Sequence, residues 1–241
     1  IRGFNQSLED QKSRARSSWS GSGDKSTEKI WFNLSNKINK TEFIGYENNV
    51  SQAEVLSIIS NSVEVDQISK NQQGCIILNQ SVFYAESGGQ IGDVGNIRCG
   101  ESNFKVTDTQ KKENLIIHYG MVSDGVFKIA DVVELEIDIN RRSSCRSYHS
   151  ATHILHQALR DTLGDHVTQK GSLVSYDRLR FDFSHHKGLS EDEIKNIEGI
   201  VNNIINSNLN VETKLMKSED AINLGCLLYT SDAADDLVWV G

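Results

Sequence analysis

The chain has 241 residues, a net charge of −8 at pH 7, 37% hydrophobic residues and 24% charged residues. This balance is typical of a soluble protein with a folded core, and no stretch approaches the ~18 consecutive apolar residues of a membrane-spanning helix, so we expect no membrane partner. The sequence does not open with a basic segment followed by an apolar one, so we expect no secretory signal. Because the net charge is negative, a nucleic-acid partner would have to be held by a local basic patch.

The cysteines also bear on the cellular compartment. The chain has 4 of them, and they are scattered without paired spacing: Cys75, Cys99, Cys145 and Cys226. This distribution favours free thiols in a reducing, cytoplasmic setting.

Residues 1–37 are polar and rich in charge and serine, and they predict a helical connector or linker. Within them, residues 8–16 have helical propensity but little apolar face, and residues 17–26 have the composition of a linker. The first residue is not methionine, which indicates a piece of a longer protein.

Residues 38–142 carry strand-like patterns. Short apolar runs bounded by turn residues occur at 75–78 and 114–120. Near the end of this part, apolar and acidic residues alternate with the period of two of a half-buried strand, the apolar ones being Val133, Leu135, Ile137 and Ile139. Several short strands at this spacing predict a small β-barrel-like subdomain.

A different pattern occupies residues 143–225. A helix is predicted over residues 149–164, with Gly164 as a left-handed cap, and a strand pair over residues 171–184. Ser190 and Glu193 form a capping-box pattern that opens a second helix, and residues 210–216 predict a last strand. The predicted fold class is therefore α+β, with a barrel-like subdomain followed by a two-layer α+β subdomain.

The sharpest local motif is HSATH at residues 149–153. On a helix, His149 and His153 are four residues apart and share one face, so their imidazoles can offer two nitrogen ligands to one metal ion. Two ordinary surface or core histidines would give the same spacing, and His156 extends the stripe without deciding between the two interpretations. Two ligands alone do not complete a zinc site.

Three other motifs are ambiguous on their own. The glycine-rich ESGGQIGD (86–93) predicts either a tight hairpin or a backbone placed against a ligand, with Glu86 and Gln90 nearby. The QKGS segment (169–172) predicts a polar turn, or a glutamine and a lysine that line a pocket. A basic cluster indicates a solvated edge or a phosphate contact, and its members are Arg141, Arg142 and Arg146.

Taken together, these motifs form a specific series. The segments FYAESGGQIGD, VTDTQK, RSYHSATHILHQALRDTLGDHVTQKGSLV and RLRFDFSH occur in the order and spacing of alanyl-tRNA synthetases of the bacterial type. The chain resembles that family from about Phe4 to Gly225, over the end of a linker and most of the editing domain. The resemblance implies a β-barrel-like subdomain followed by an α+β subdomain of the type shared with threonyl-tRNA synthetases.

The resemblance also implies a function for the site residues. On this resemblance, the chain would hydrolyse mischarged Ser-tRNA(Ala) and Gly-tRNA(Ala), and His149 and His153 would bind zinc. Thr152 and Gln169 would recognise the serine, with Gln90 and Glu86 in the pocket loop. The acceptor end of tRNA(Ala) would be the partner, with no DNA bound, and its contacts would be Arg141, Arg142, Arg146 and Lys170. Alternatives are a free-standing trans-editing deacylase and an inactive tRNA-binding module.

The sequence departs from the family pattern in three places. Val82 stands where a proline is usual. The aminoacylation domain that charges tRNA(Ala) with alanine, using ATP and magnesium, would lie upstream, and the remaining cysteine and histidine ligands of zinc would lie beyond residue 225. Residues 226–241 abandon the pattern and resemble a translated sequencing adapter, so we expect a non-native, dispensable tail.

Overall fold

The computed structural model describes residues 30–38 and 40–209 and the backbone of 25–29, 211–213 and 238–240. The first element among the described residues is helix α1 (Lys25–Lys37). The residues at 25 and 26 are therefore helical, although the sequence predicted a linker over 17–26, whereas the predicted helix at 8–16 lies outside the described residues. Trp31, Leu34 and Ile38 are buried on the outside of the strands that follow, so the end of this segment packs as part of the barrel layer.

Six antiparallel strands then close into a barrel. They are hydrogen-bonded in the order β11–β7–β8–β9–β5–β2, and β2 pairs with β11 to complete the ring. Strand β3 extends the sheet beside β2, β1 pairs with β6, and β4 pairs with β10. The strands are β1 (Glu42–Phe43), β2 (Val50–Ser60), β3 (Val63–Val65), β4 (Gln67–Ser69), β5 (Gln73–Leu78), β6 (Gln80–Ser81), β7 (Gly95–Cys99), β8 (Ser102–Lys112), β9 (Leu115–Asp124), β10 (Val126–Lys128) and β11 (Val132–Ile137).

The alternation along the strands divides the apolar residues between two clusters. Ile76 and Leu78 belong to the interior cluster of the barrel, whereas Cys75 and Ile77 on the same strand lie in the outer cluster under α1. The alternating residues of β11 point inward as predicted, with Leu135 fully buried. Ile139 departs from this pattern because it is the first residue of the next helix and is 50% exposed.

The α+β part contains helix α2 (Ile139–Leu163), the hairpin of β12 (Gln169–Val174) and β13 (Leu179–Phe183), and helix α3 (Glu191–Asn206). The hairpin and α3 both pack against α2, around a third apolar cluster that includes Leu159, Val167 and Ile197. The backbone of β14 (Val211–Thr213) pairs with that of β15 (Val238–Val240). The predicted α+β class with a barrel is confirmed.

The start of α2 and the conformation of the residue that caps its end differ from the sequence prediction. Helix α2 begins ten residues before residue 149, because the Asp138 carboxylate accepts a hydrogen bond from the Arg141 N–H and caps the helix there. Gly164 has φ 109° and ψ 168°, so it is not the predicted left-handed helical cap, although the conformation still favours glycine. The capping box of Ser190 and Glu193 at the start of α3 is confirmed.

No helix in the described residues is both long and apolar enough to cross a bilayer. The cysteines that the structure describes, Cys75, Cys99 and Cys145, are free thiols. The tail at 226–241, predicted to be non-native, lies outside the described residues except for the backbone of 238–240.

Candidate active site

The glycine-rich loop joins the barrel to the β12–β13 hairpin. On the barrel side, the Glu86 N–H donates to the Thr109 carbonyl over 2.9 Å. On the hairpin side, the Val174 N–H donates to the Gly89 carbonyl over 2.8 Å, and the Val174 carbonyl accepts from the Ile91 N–H over 3.1 Å. The loop is therefore a short main-chain bridge between the two parts of the molecule.

Glycine is required at the centre of this loop. Gly88 and Gly89 have φ of 58° and 85° and turn the chain so that Ser87 and Gln90 exchange backbone hydrogen bonds. A Cβ on Gly89 would lie 2.5 Å from the Ser172 carbonyl oxygen. The segment is thus a tight turn whose backbone packs against a neighbouring strand, and the placement of its backbone against a ligand stays a prediction.

The loop places Gln90 against helix α2. The buried side chain of Gln90 reaches His149, and its amide oxygen accepts a hydrogen bond from Nδ1 of that ring over 2.7 Å. An amide oxygen only accepts, so Nδ1 carries the proton and a neutral ring keeps its lone pair on Nε2. Metal-binding histidines are commonly oriented in this way, with the second nitrogen held by a carbonyl or carboxylate.

The neighbouring histidine on α2 completes a pair of neutral imidazoles. The ring centroids of His149 and His153 lie 5.0 Å apart. Burial lowers the pKa of His149, and burial together with the nearby His149 and His156 lowers the pKa of His153 to about 4. Both rings are therefore unprotonated at neutral pH, which is the form that ligates a metal ion.

An ion pair anchors the start of α2 to the same loop. The Arg142 Nε donates to Asp93 Oδ2 over 2.8 Å, and its two terminal nitrogens donate to the Gly45 and Val82 carbonyls over 2.8 and 2.7 Å. Asp93 Oδ2 also accepts from the Tyr84 N–H over 2.7 Å. Both charged side chains are buried and well hydrogen-bonded.

This burial corrects the predicted basic cluster. Arg142 cannot serve as a tRNA contact while its guanidinium is enclosed by Asp93 and two main-chain carbonyls. The Arg141 guanidinium lies 4.0 Å over the Tyr176 ring, at the turn of the β12–β13 hairpin. Of the predicted basic contacts, Arg146 and Lys170 are exposed.

The other predicted site residues take separate positions. Thr152 is buried one turn along α2 from His149, and its hydroxyl donates to the Tyr148 carbonyl over 2.8 Å. Gln169 is half-buried and opens β12, whereas the Gln90 loop docks further along that strand, at Ser172 and Val174. Glu86 is exposed. The structure thus brings Gln90, His149 and His153 together and leaves Gln169 at the other end of the hairpin.

The family model described as tRNA synthetases class II (A) matches residues 1–141. The chain belongs to this family. Among class II synthetases, it is 46% identical over 241 residues to the alanine–tRNA ligase of Rhodopseudomonas palustris, and the similarity covers 100% of the chain but 27% of the relative. It is also 46% identical over 227 residues to the alanine–tRNA ligase of Parvibaculum lavamentivorans, covering 93% of the chain and 25% of the relative. The chain therefore spans about a quarter of the length of these curated relatives.

The structure of this class II synthetase piece also shows what the sequence did not reveal. Among the described residues, only one group of three or more potential metal ligands has its ligand atoms within 4.8 Å of one another. This group consists of His166, His185 and His186, and it does not include His149. Adjacent histidines at 185 and 186 were visible in the sequence. Their proximity to His166 depends on the pairing of β12 with β13, which residue patterns alone do not give.

Proposed function

We propose that the chain is the editing part of an alanine–tRNA ligase and hydrolyses Ser-tRNA(Ala) and Gly-tRNA(Ala) at the ester to the terminal adenosine. The observation that carries this proposal is the 2.7 Å contact between Gln90 and His149, which joins the glycine-rich loop to the HSATH helix in one polar site. The similarity to alanine–tRNA ligases supports the same substrate, tRNA(Ala), approached at its acceptor end.

The residues present fit part of a zinc site. His149 and His153 are neutral and adjacent, and Gln90 fixes the tautomer that leaves Nε2 of His149 free to ligate. We propose that both bind zinc, and that a cysteine and a histidine beyond residue 225 of the parent protein complete the set. Zinc bound there would supply a Lewis acid to the ester or to its attacking water.

The buried hydroxyl of Thr152 supports serine selection. Because it donates its proton to the Tyr148 carbonyl, its oxygen has only lone pairs to offer a substrate. A seryl hydroxyl can donate to that oxygen, and an alanyl ester has no hydroxyl to do so. A site built to pair with a hydroxyl discriminates strongly against the analogue that lacks one. Correctly charged Ala-tRNA(Ala) would then be spared.

The exposed basic residues suit the tRNA. Arg146 on α2 and Lys170 on β12 are exposed and carry the charge that phosphate contacts need. Arg141, stacked on Tyr176, would contribute by holding the hairpin turn.

We assign the charging of tRNA(Ala), which uses ATP and magnesium, to a separate part of the parent ligase. The cellular location that we propose is the cytoplasm.

The direct test is hydrolysis of radiolabelled Ser-tRNA(Ala) and Ala-tRNA(Ala). We would compare the 241-residue chain, supplied with zinc, with the same chain continued by the next segment of the Rhodopseudomonas palustris relative. We expect the extended protein to hydrolyse Ser-tRNA(Ala) and spare Ala-tRNA(Ala), and the original chain to bind zinc weakly and react slowly. Equal hydrolysis of both tRNAs would exclude an editing function, and tRNA binding without any hydrolysis would indicate an inactive tRNA-binding module.

A substitution at Thr152 tests the recognition step. Thr152→Val keeps the shape of the side chain and removes the hydroxyl, so the extended protein should keep its zinc but lose about 10-fold or more of its preference for seryl over alanyl ester. Thr152→Ser retains the hydroxyl and serves as the matched control. An unchanged preference in the valine variant, with zinc confirmed by elemental analysis, would remove Thr152 from the recognition site.

A further inference from the structure

Three histidines lie together at the edge of the α+β part, away from the Gln90 loop. His166 lies in the loop between α2 and β12, and His185 and His186 follow β13. Each offers a ring nitrogen, and the nitrogens lie within 4.8 Å of one another. The tightest approach joins His166 Nε2 and His185 Nδ1 over 2.8 Å.

Main-chain pairing holds this cluster in place. The Ser184 N–H donates to the Thr168 carbonyl over 2.9 Å, and the Thr168 N–H donates to the Ser184 hydroxyl oxygen over 3.0 Å. The same hydroxyl lies 3.1 Å from the His166 carbonyl oxygen. These contacts continue the β12–β13 hairpin by one residue on each side, so the backbone brings the histidine-bearing segments together before any ligand binds.

The nitrogens of this cluster are suited to a cation. Two imidazole nitrogens 2.8 Å apart would oppose their lone pairs unless a proton or a metal ion lies between them. His185 Nε2 is also buried without a hydrogen-bond partner among the described residues.

We propose that His166, His185 and His186 bind a divalent transition-metal ion, such as Zn²⁺ or Cu²⁺, at a site distinct from His149 and His153. Imidazole is the side chain that these ions favour in proteins, and three protein ligands leave a position for water. The site is independent of the proposed editing chemistry because it shares no residue with it. All 7 histidines of the chain then have an assigned place: one in the barrel, three on α2 and three in this cluster.

The test uses the tag-free chain in which His149→Ala and His153→Ala remove the paired imidazoles of α2. Titration calorimetry with Zn²⁺ should still show one bound ion, and Cu²⁺ bound to the same protein should give an electron paramagnetic resonance spectrum with coupling to several nitrogens. Absence of Zn²⁺ binding by this folded background would overturn the proposal.

Substitutions within the cluster then identify the ligands. Loss of an outer-shell partner costs about 10–100-fold in metal affinity, so loss of a ligand in His185→Asn should cost at least as much. His186→Asn, at an exposed position, should have the same effect without a risk to folding. Lys187→Gln is the matched control, because it changes the adjacent surface residue and should leave affinity unchanged or higher. Equal affinity in all three variants would show that the ion binds elsewhere.

Discussion

At the scale of single residues, the pairing of Arg142 with Asp93 should contribute strongly to stability. Arg142→Ala leaves the Asp93 carboxylate buried without its partner, and removing one partner of a buried pair costs about 3–5 kcal/mol. The free energy of unfolding from urea titration should fall by that amount. Arg146→Ala, on the exposed side of the same helix, should change it by no more than about 0.5 kcal/mol. Equal effects from the two substitutions would contradict the buried pairing.

His118 inside the barrel should give the protein a pH dependence. Its Nδ1 lies 2.9 Å from the Ile76 carbonyl oxygen, which only accepts, so Nε2 is the acceptor for the Ser81 hydroxyl at 2.7 Å. Burial lowers its pKa from 6.5 to about 4. Between those pH values, His118 is protonated in the unfolded chain but neutral in the folded chain. Its contribution to the free energy of unfolding is therefore complete above pH 6.5 and is lost as the pH falls towards 4.

The size of this effect is about 3 kcal/mol for one group. The ring resonances of His118 should show no titration above about pH 5 by nuclear magnetic resonance, given the lowered pKa. In His118→Leu, the fall in unfolding free energy from pH 7 to pH 4 should be smaller by about that amount, while the depressed pKa values of His149 and His153 still contribute. A normal titration near pH 6.5 would show that the ring is solvated.

At the scale of elements, the docking of the glycine-rich loop on β12 depends on Gly89. A Cβ at this position meets the Ser172 carbonyl at 2.5 Å, so Gly89→Ala should separate the loop from the strand and withdraw Gln90 from His149. Gly88→Ala is the control, since Gly88 also has positive φ but no heavy atom lies within 4 Å of its Cβ position. Hydrogen exchange at the Val174 amide, which donates to Gly89, should accelerate only in the first variant.

Elements with local signals were predicted well. The capping box at Ser190 and the alternation from Val133 to Ile137 depend on residues that are neighbours in sequence, and both are confirmed. The start of α2 was predicted wrongly because residues 139–148 show no apolar period. The start of the helix is stabilised instead by the Asp138 cap and by the ion pair between Arg142 and Asp93 on the barrel side.

The site was predictable only in part for the same reason. The HSATH spacing identified His149 and His153 as a pair, because four residues on a helix are one turn. The contact of His149 with Gln90, 59 residues earlier, depends on how the loop crosses from barrel to hairpin. The association of His166 with His185 likewise arises from strand pairing over 19 residues. Single-sequence patterns carry no record of such distant contacts.

At the scale of the whole molecule, helix α1 covers an apolar outer face of the barrel. Trp31 is 5% exposed and its ring lies 6.4 Å from that of Tyr119, edge to face. Trp31→Ala should lower the free energy of unfolding by about 3–5 kcal/mol through the cavity it leaves. Phe32→Ala, at a residue 60% exposed on the same helix, should have little effect, and matching losses in urea titrations would place α1 away from the barrel.

The two contacts between the glycine-rich loop and α2 have a consequence for how such proteins can be recombined. Asp93 with Arg142, and Gln90 with His149, each join a residue on the barrel side to one on the helix side. A cut after β11 would leave one half of each pair on either fragment. In a chimaera that joins this barrel to the α+β part of a distant relative, both pairs would therefore be mismatched unless the two residues of each pair were transferred together. The four residues at this junction can then be exchanged only as a set.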